Sequence, residues 1–202
     1  MKKKVFISST YRDLLEHRKE VWELLGEHDV KVSGMEEFGA RKSDSLTTCL
    51  EEVRESDIYI GILGMVYGSV DATSGKSYTQ LEYEEAIRSN LDIFIYLIDK
   101  DESIFRLSNI DFINYTKLEK FKTELKSKHT VDFFKDPIDL KKKVNGLLNQ
   151  LSGTLITLNG LTRSGWKRDE NVSLLNRQCQ FMRFILVRGQ EMKIILMPII
   201  GK

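Results

Sequence analysis

The sequence predicts an α/β fold, a three-layer sandwich with a five-stranded parallel sheet between helices, followed by a C-terminal extension. Two observations lead there. Five short β-rich runs alternate with helically spaced segments over the first 150 residues, which is the rhythm of successive strand–helix units. The strongest run, Asp57-Ile58-Tyr59-Ile60-Gly61-Ile62-Leu63, is apolar on both of its faces, as suits a central parallel strand covered on each side.

The elements follow in order. Lys4 to Ser8 reads as a strand that ends in the hydroxyl-rich turn Ser8-Ser9-Thr10. A helix follows with Leu14, Val21 and Leu25 on one side, Leu15 and Trp22 flanking them, and Thr10 and Asp13 forming a capping-box-like start. Val30 to Val32 is the second strand. A loop through Phe38 to Lys42 leads to a helix capped near Ser43 or Asp44, with Leu46, Leu50 and Val53 facing inward and Cys49 in the core beside them. After the central strand comes a glycine-punctuated loop containing Gly64, Tyr67 and Gly68, then a helix from about Thr79 to Asn90. Ile93 to Ile98 is the fourth strand, Tyr115 to Lys128 a helix, and Thr130 to Phe134 a short fifth strand. Asp136-Pro137 opens the last helix, a cap followed by proline at the first helical position, and Ser152-Gly153 is expected to end it. The division is then residues 1–152 as the α/β domain and 153–202 as an extension. Within the extension, Phe181 to Val187 and Lys193 to Ile200 read as two strands of a hairpin, or Val172 to Leu186 as an amphipathic helix.

Composition narrows the function. The chain has 202 residues, 41% hydrophobic and 30% charged, a globular balance. No apolar run approaches the roughly 18 residues of a membrane span. The segment after the basic Met1 to Lys4 is too short for a signal peptide, so a cytoplasmic protein is expected. Cys49 and Cys179 have no metal-ligand spacing and fit reduced, packed thiols; with three histidines, no metal site is expected. His17, His28 and His129 read as surface residues. The net charge of +1 argues against nucleic-acid binding. From Leu151 onward eight Lys/Arg oppose three Asp/Glu, a basic piece whose cations are interleaved with apolar residues that favour burial. There is no P-loop, G-x-G-x-x-G, G-x-S-x-G or H-E-x-x-H, which argues against a kinase, NTPase, dehydrogenase, esterase of the hydrolase fold or zinc protease.

In a parallel sheet covered on both faces, ligands sit at the carboxyl ends of the strands. The candidate binding residues there are Ser8, Ser9 and Thr10, Glu36, Gly64 and Tyr67, and Tyr78 and Thr79. Exposed amides and hydroxyls at a helix start suit a phosphate or ribose, though Ser and Thr are also ordinary caps. Gly64 and Gly68 allow close backbone approach to a ligand. Tyr67 and Tyr78 can stack on a base, or Tyr67 can seal the core; Arg41 reads as a solvated loop charge. Glu82, in the first turn of its helix, is the catalytic candidate. The helix dipole would favour its ionised form, suiting a nucleophile or a stabiliser of an oxocarbenium-like centre rather than a general acid. Against this, Thr79-x-x-Glu82 is itself a capping box.

Four stretches in order resemble one known pattern. They are Val5 to Leu14; Met35-Glu36 with Phe38-Gly39-Ala40; Asp57 to Gly64 with Tyr67-Gly68; and Tyr78-Thr79 with Glu82-Tyr83 and Ala86. Together they resemble a TIR-like domain family of unassigned function, found at the front of STAND ATPases and in bacterial defence proteins. It is related to TIR domains and nucleoside deoxyribosyltransferases. The resemblance implies a flavodoxin-like fold and, for active members, hydrolysis of an N-glycosidic bond with a helix-borne glutamate, which Glu82 matches by position. It implies NAD or another nucleotide as substrate rather than a bound cofactor, and a homo-oligomer in signalling or antiviral defence, with a STAND-type ATPase or another defence protein as partner. The alternative is a non-catalytic module that senses a nucleotide or acts by self-association.

Overall fold

A computed structural model describes residues 2–11, 13–34, 45–104 and 106–163, with side chains to 151. The elements run β1 (Lys3–Ser9), α1 (Leu15–Gly26), β2 (Val30–Ser33), α2 (Ser45–Arg54), β3 (Ile58–Leu63), α3 (Tyr78–Arg88), β4 (Asp92–Ile98), a 3-10 turn (Leu107–Asn109), α4 (Tyr115–Lys128), β5 (Val131–Phe134) and α5 (Pro137–Arg163). The chain divides into two compact units, Met1–Asn149 and Gln150–Lys202.

The five strands are parallel and ordered β2-β1-β3-β4-β5, the flavodoxin-like order expected of the sequence. The sheet grows outward in one direction from β1 and in the other from β3, so the switch point lies between these two strands. Ser8 pairs with Gly61 and Ser9 with Ile62 across it.

Strand alternation sorts the core into two layers. On one face Phe6, Tyr59, Leu63, Ile95 and Leu97 pack with Cys49 and Val53 of α2, Tyr83 and Ala86 of α3, and Leu118, Phe121 and Leu125 of α4. α1 and α5 cover the other, joined by a 2.8 Å ion pair between Lys141 and Glu20. Their buried residues include Val21, Leu24, Leu25, Leu140, Val144 and Leu148. At the start of α5, Asp136 accepts from the Asp139 amide at 2.8 Å while Pro137 takes the first helical position.

Several expectations change. α1 begins at Leu15, not at Thr10: the Thr10 hydroxyl is spent on the Asp13 carboxylate at 2.5 Å, and no side chain caps the helix. Leu15 is exposed, and the core slot between Leu14 and Val21 belongs to Arg18. α5 does not stop at Ser152-Gly153 but continues to Arg163. One glycine costs a helix about 1 kcal/mol, too little to end a segment in which Leu148, Leu151, Leu155 and Leu158 keep helical spacing. The histidines are half-buried rather than surface residues. His17 lies against Phe134 with ring centroids 5.1 Å apart. His129 Nε2 meets the Tyr83 hydroxyl at 2.8 Å. The strands or helix expected within 172–200 lie outside the described residues. No described helix is long and apolar enough to cross a membrane.

Candidate active site

Glu82 is where the sheet's switch point meets α3. The helix is capped by Ser77, whose Oγ accepts from the Gln80 amide at 3.2 Å. That cap displaces the expected Thr79-x-x-Glu82 box and moves Glu82 into the second turn. There its side chain turns toward the sheet and is only 4% exposed. The Ser8 hydroxyl, at the end of β1, donates to Glu82 Oε2.

Burial dominates the electrostatics. It pushes the Glu82 carboxyl up to about 7, while hydrogen bonds from Ser8 and the Cys49 thiol and the charge of Arg18 pull it back. The expectation that the helix dipole favours the ionised carboxylate is therefore corrected. The dipole acts within the first turn, and Glu82 is beyond it and desolvated. Near neutrality such a group is divided between both protonation states. The Tyr59 phenol beside it is fully buried and held well above its ordinary pKa by burial and by the Glu82 charge.

Glu85, one turn on, is also buried, but it is ion-paired to Arg54 at 2.6 Å and to Arg88. Glu84 pairs with Lys76 at 2.8 Å. Of the three glutamates in this stretch, Glu82 is the one held by a hydroxyl and a thiol.

The hydroxyl turn is used internally. Ser8 serves Glu82, Ser9 accepts from Arg18 Nη1 at 2.6 Å, and Thr10 donates to Asp13. The close approaches allowed by the glycines are likewise to the chain's own turn. A Cβ at Gly64 would run into the Asp13 carboxylate and Leu14, and one at Gly68, whose φ is +92°, would meet Thr10. Tyr67 seals the core, its ring buried and its hydroxyl donating to Gln80 Oε1 at 2.7 Å. Thr79 is buried and Tyr78 half-buried. Glu36 and Arg41 lie outside the described residues.

The carboxyl edge also carries a cavity of about 450 Å³, lined by Asp13, His17, Met65, Ile98, Arg106 and Asp136 among others, and not by Glu82. Burial raises the Asp13 carboxyl and lowers the His17 imidazole.

Arg18 and Asp13 escaped the sequence reading as site residues. The signal for Arg18 was its place four residues after Leu14 on an otherwise apolar stripe. Asp13 gave none beyond its spacing from Thr10.

Three solved structures are similar in outline. A Clostridium botulinum CMP N-glycosidase, BcmB, is 16% identical with a TM-score of 0.40, over 71% of this chain and 98% of that one. The TIR domains of the activated Roq1 resistosome, which recognises the effector XopQ, are 12% identical with a TM-score of 0.38, over 62% and 72%. A de novo designed P-loop fold protein is 18% identical with a TM-score of 0.43, over 76% and 96%. The fold class rests on the sheet order, not on these likenesses. No curated protein matches the sequence. The family described as "Domain of unknown function (DUF4062)" matches residues 4–149, and the chain belongs to it.

Proposed function

We propose that the domain is a nucleotide-directed N-glycosidase, with NAD as the first substrate to test. The observation that carries this reading is Glu82: a desolvated carboxyl at the sheet's switch point, oriented by Ser8 and poised near neutrality. Perturbed carboxyls in such places are candidate catalytic groups.

The chemistry asks little else of the chain. The bond between ribose C1′ and the nicotinamide nitrogen breaks, and its electron pair leaves with the base. Nicotinamide departs neutral from a cationic ring, so no general acid is needed. Glu82, ionised, faces the developing cation and stabilises or traps it. Water then adds at C1′ and gives up a proton. The ionised form does this work, so the rate should rise with pH through about 7.

The test is nicotinamide release from NAD by the purified full chain at high protein concentration, with Glu82→Gln as control. Release that disappears in Glu82→Gln supports the reading. Failure of the wild type to release nicotinamide overturns it for NAD. Release that persists in the variant removes Glu82 from the chemistry.

A second reading, a non-catalytic module acting by self-association, is favoured by two observations. Glu82 does not line the large cavity. The stretch after β4 exposes Ile104, Leu107, Phe112 and Ile113, an apolar surface of the kind that marks interaction sites. Concentration-dependent assembly without nucleotide turnover, lost when Phe112 and Ile113 become serine, would establish it. A monomer at all concentrations would exclude it. A STAND-type ATPase or other defence partner belongs to either reading.

A further inference from the structure

Arg18 sits on α1, across the sheet from α3, yet it is 1% exposed. A guanidinium carries five donors and a permanent charge, and burying it is costly unless partners meet it. A leucine would continue the stripe of Leu14, Val21 and Leu25 without that cost. What Arg18 does instead is reach the end of β1. Its Nη1 donates to Ser9 Oγ at 2.6 Å and lies 3.4 Å from the Ser9 carbonyl.

The consequence follows from strand geometry. Adjacent residues of a strand point to opposite faces and share a rigid, planar peptide. Ser9 faces α1 and Ser8 faces α3, so a clamp on Ser9 steadies the end of β1 from which the Ser8 hydroxyl reaches Glu82. Arg18 also acts on Glu82 by charge alone, and in the same sense as Ser8: both favour the ionised carboxylate.

We infer that Arg18 is the positioning residue of the Glu82 centre, holding Ser9 from α1 so that Ser8 stays aimed at Glu82 on the other side of the sheet. The catalytic consequence rests on the glycosidase reading; the positioning itself does not. Among the described residues, the groups that act on Glu82 are Arg18 through its charge, the Ser8 hydroxyl from β1, the Cys49 thiol from α2 and the Tyr59 phenol from β3. Of these four groups, Arg18 alone carries a permanent charge. Lysine would keep that charge but not the guanidinium geometry that brings Nη1 to Ser9.

The experiment is a carbon-13 NMR titration of the Glu82 side-chain carboxyl in the full chain, assigned with Glu82→Gln. Arg18→Gln should move the midpoint upward by about one pH unit, roughly a tenfold change in the protonation equilibrium. Arg18→Lys should move it less. Ser9→Ala, which leaves the charge and removes the 2.6 Å contact, should also move it upward, and it serves if Arg18→Gln does not fold. An unmoved midpoint in the folded variants overturns the inference. Nicotinamide release measured on the same samples separates the two ideas. A shifted midpoint without wild-type release leaves Arg18 in its role and removes the glycosidase. Wild-type release with an unmoved midpoint does the reverse.

Discussion

Ser8 and Glu82 are 74 positions apart in sequence, and the hydroxyl of one is hydrogen-bonded to the carboxyl of the other in the buried layer between β1 and α3. The contact exists because the sheet puts β1 beside β3, and α3 leaves from β3. It gives a desolvated carboxyl one firm donor without an adjacent ion pair of the kind that neutralises Glu85.

Glu82→Gln should change stability in a pH-dependent way. The folded pKa is raised to about 7 from an ordinary value of 4.5. Below 4.5 both folded and unfolded chains keep the proton. Between the two values only the unfolded chain gives it up, so stability falls as pH rises, then levels above about 7. The glutamine variant escapes this loss. It should match wild type at pH 4.5 and exceed it at pH 8 by up to about 3 kcal/mol, read by urea unfolding at both pH values. Equal stability at pH 8 would mean the carboxyl ionises in the fold at no cost.

Ser8→Ala removes the largest influence holding the Glu82 pKa down. The carboxyl midpoint should rise. At pH 8, where the wild-type group is ionised, the loss of a buried partner should cost about 1–3 kcal/mol, and less at pH 5. A cost independent of pH would assign the serine to packing alone.

Gly64→Ala should lower the melting temperature. Its new methyl would collide with the Asp13 carboxylate and come within 3.2 Å of Leu14, an overpacking that costs roughly 1–3 kcal/mol. Gly146→Ala, exposed on α5 with nothing within 4 Å of the added carbon, should raise it, since alanine is favoured in a helix by up to about 1 kcal/mol. Calorimetry on the pair gives opposite signs if both environments are as described.

Arg54→Ala should destabilise without touching Glu82. Glu85 is buried and would keep only Arg88. The loss should be small, because Arg54 is itself half-exposed and its charge is screened by solvent. The Glu82 titration in this variant should superimpose on wild type.

The layered α/β architecture was legible because period-2 and helical patterns are written directly in residue order. Tyr115–Lys128 and the Asp136-Pro137 helix start lie where the sequence pattern puts them. The start of the first helix is ambiguous in sequence because Thr10 offers the same hydroxyl to a cap or to Asp13, and spacing does not decide between them. Position on its helix singles out Glu82 in the sequence, but position does not carry its electrostatics. A helix dipole can be read from position, whereas desolvation depends on what the sheet and α2 place around the carboxyl. Tyr67 was equally open to stacking or core packing until the position of Gln80 was known. Arg18 shows the converse: a charged residue on an apolar stripe announces that something buried needs it, but not what.

Ser8, Ser9 and Thr10 send three neighbouring hydroxyls to three different addresses, on α3, α1 and Asp13. The triplet therefore works as a keyed joint whose phase is set by the strand before it. Deleting one residue from Val5-Phe6-Ile7 would bring Ser9 into the slot that faces α3 and Thr10 into the slot that faces α1, so Glu82 would still meet a serine and Arg18 a threonine, while Asp13 would lose Thr10 as its donor. A one-residue slip in β1 is therefore absorbed on the two faces of the sheet and felt at Asp13, where the triplet ends.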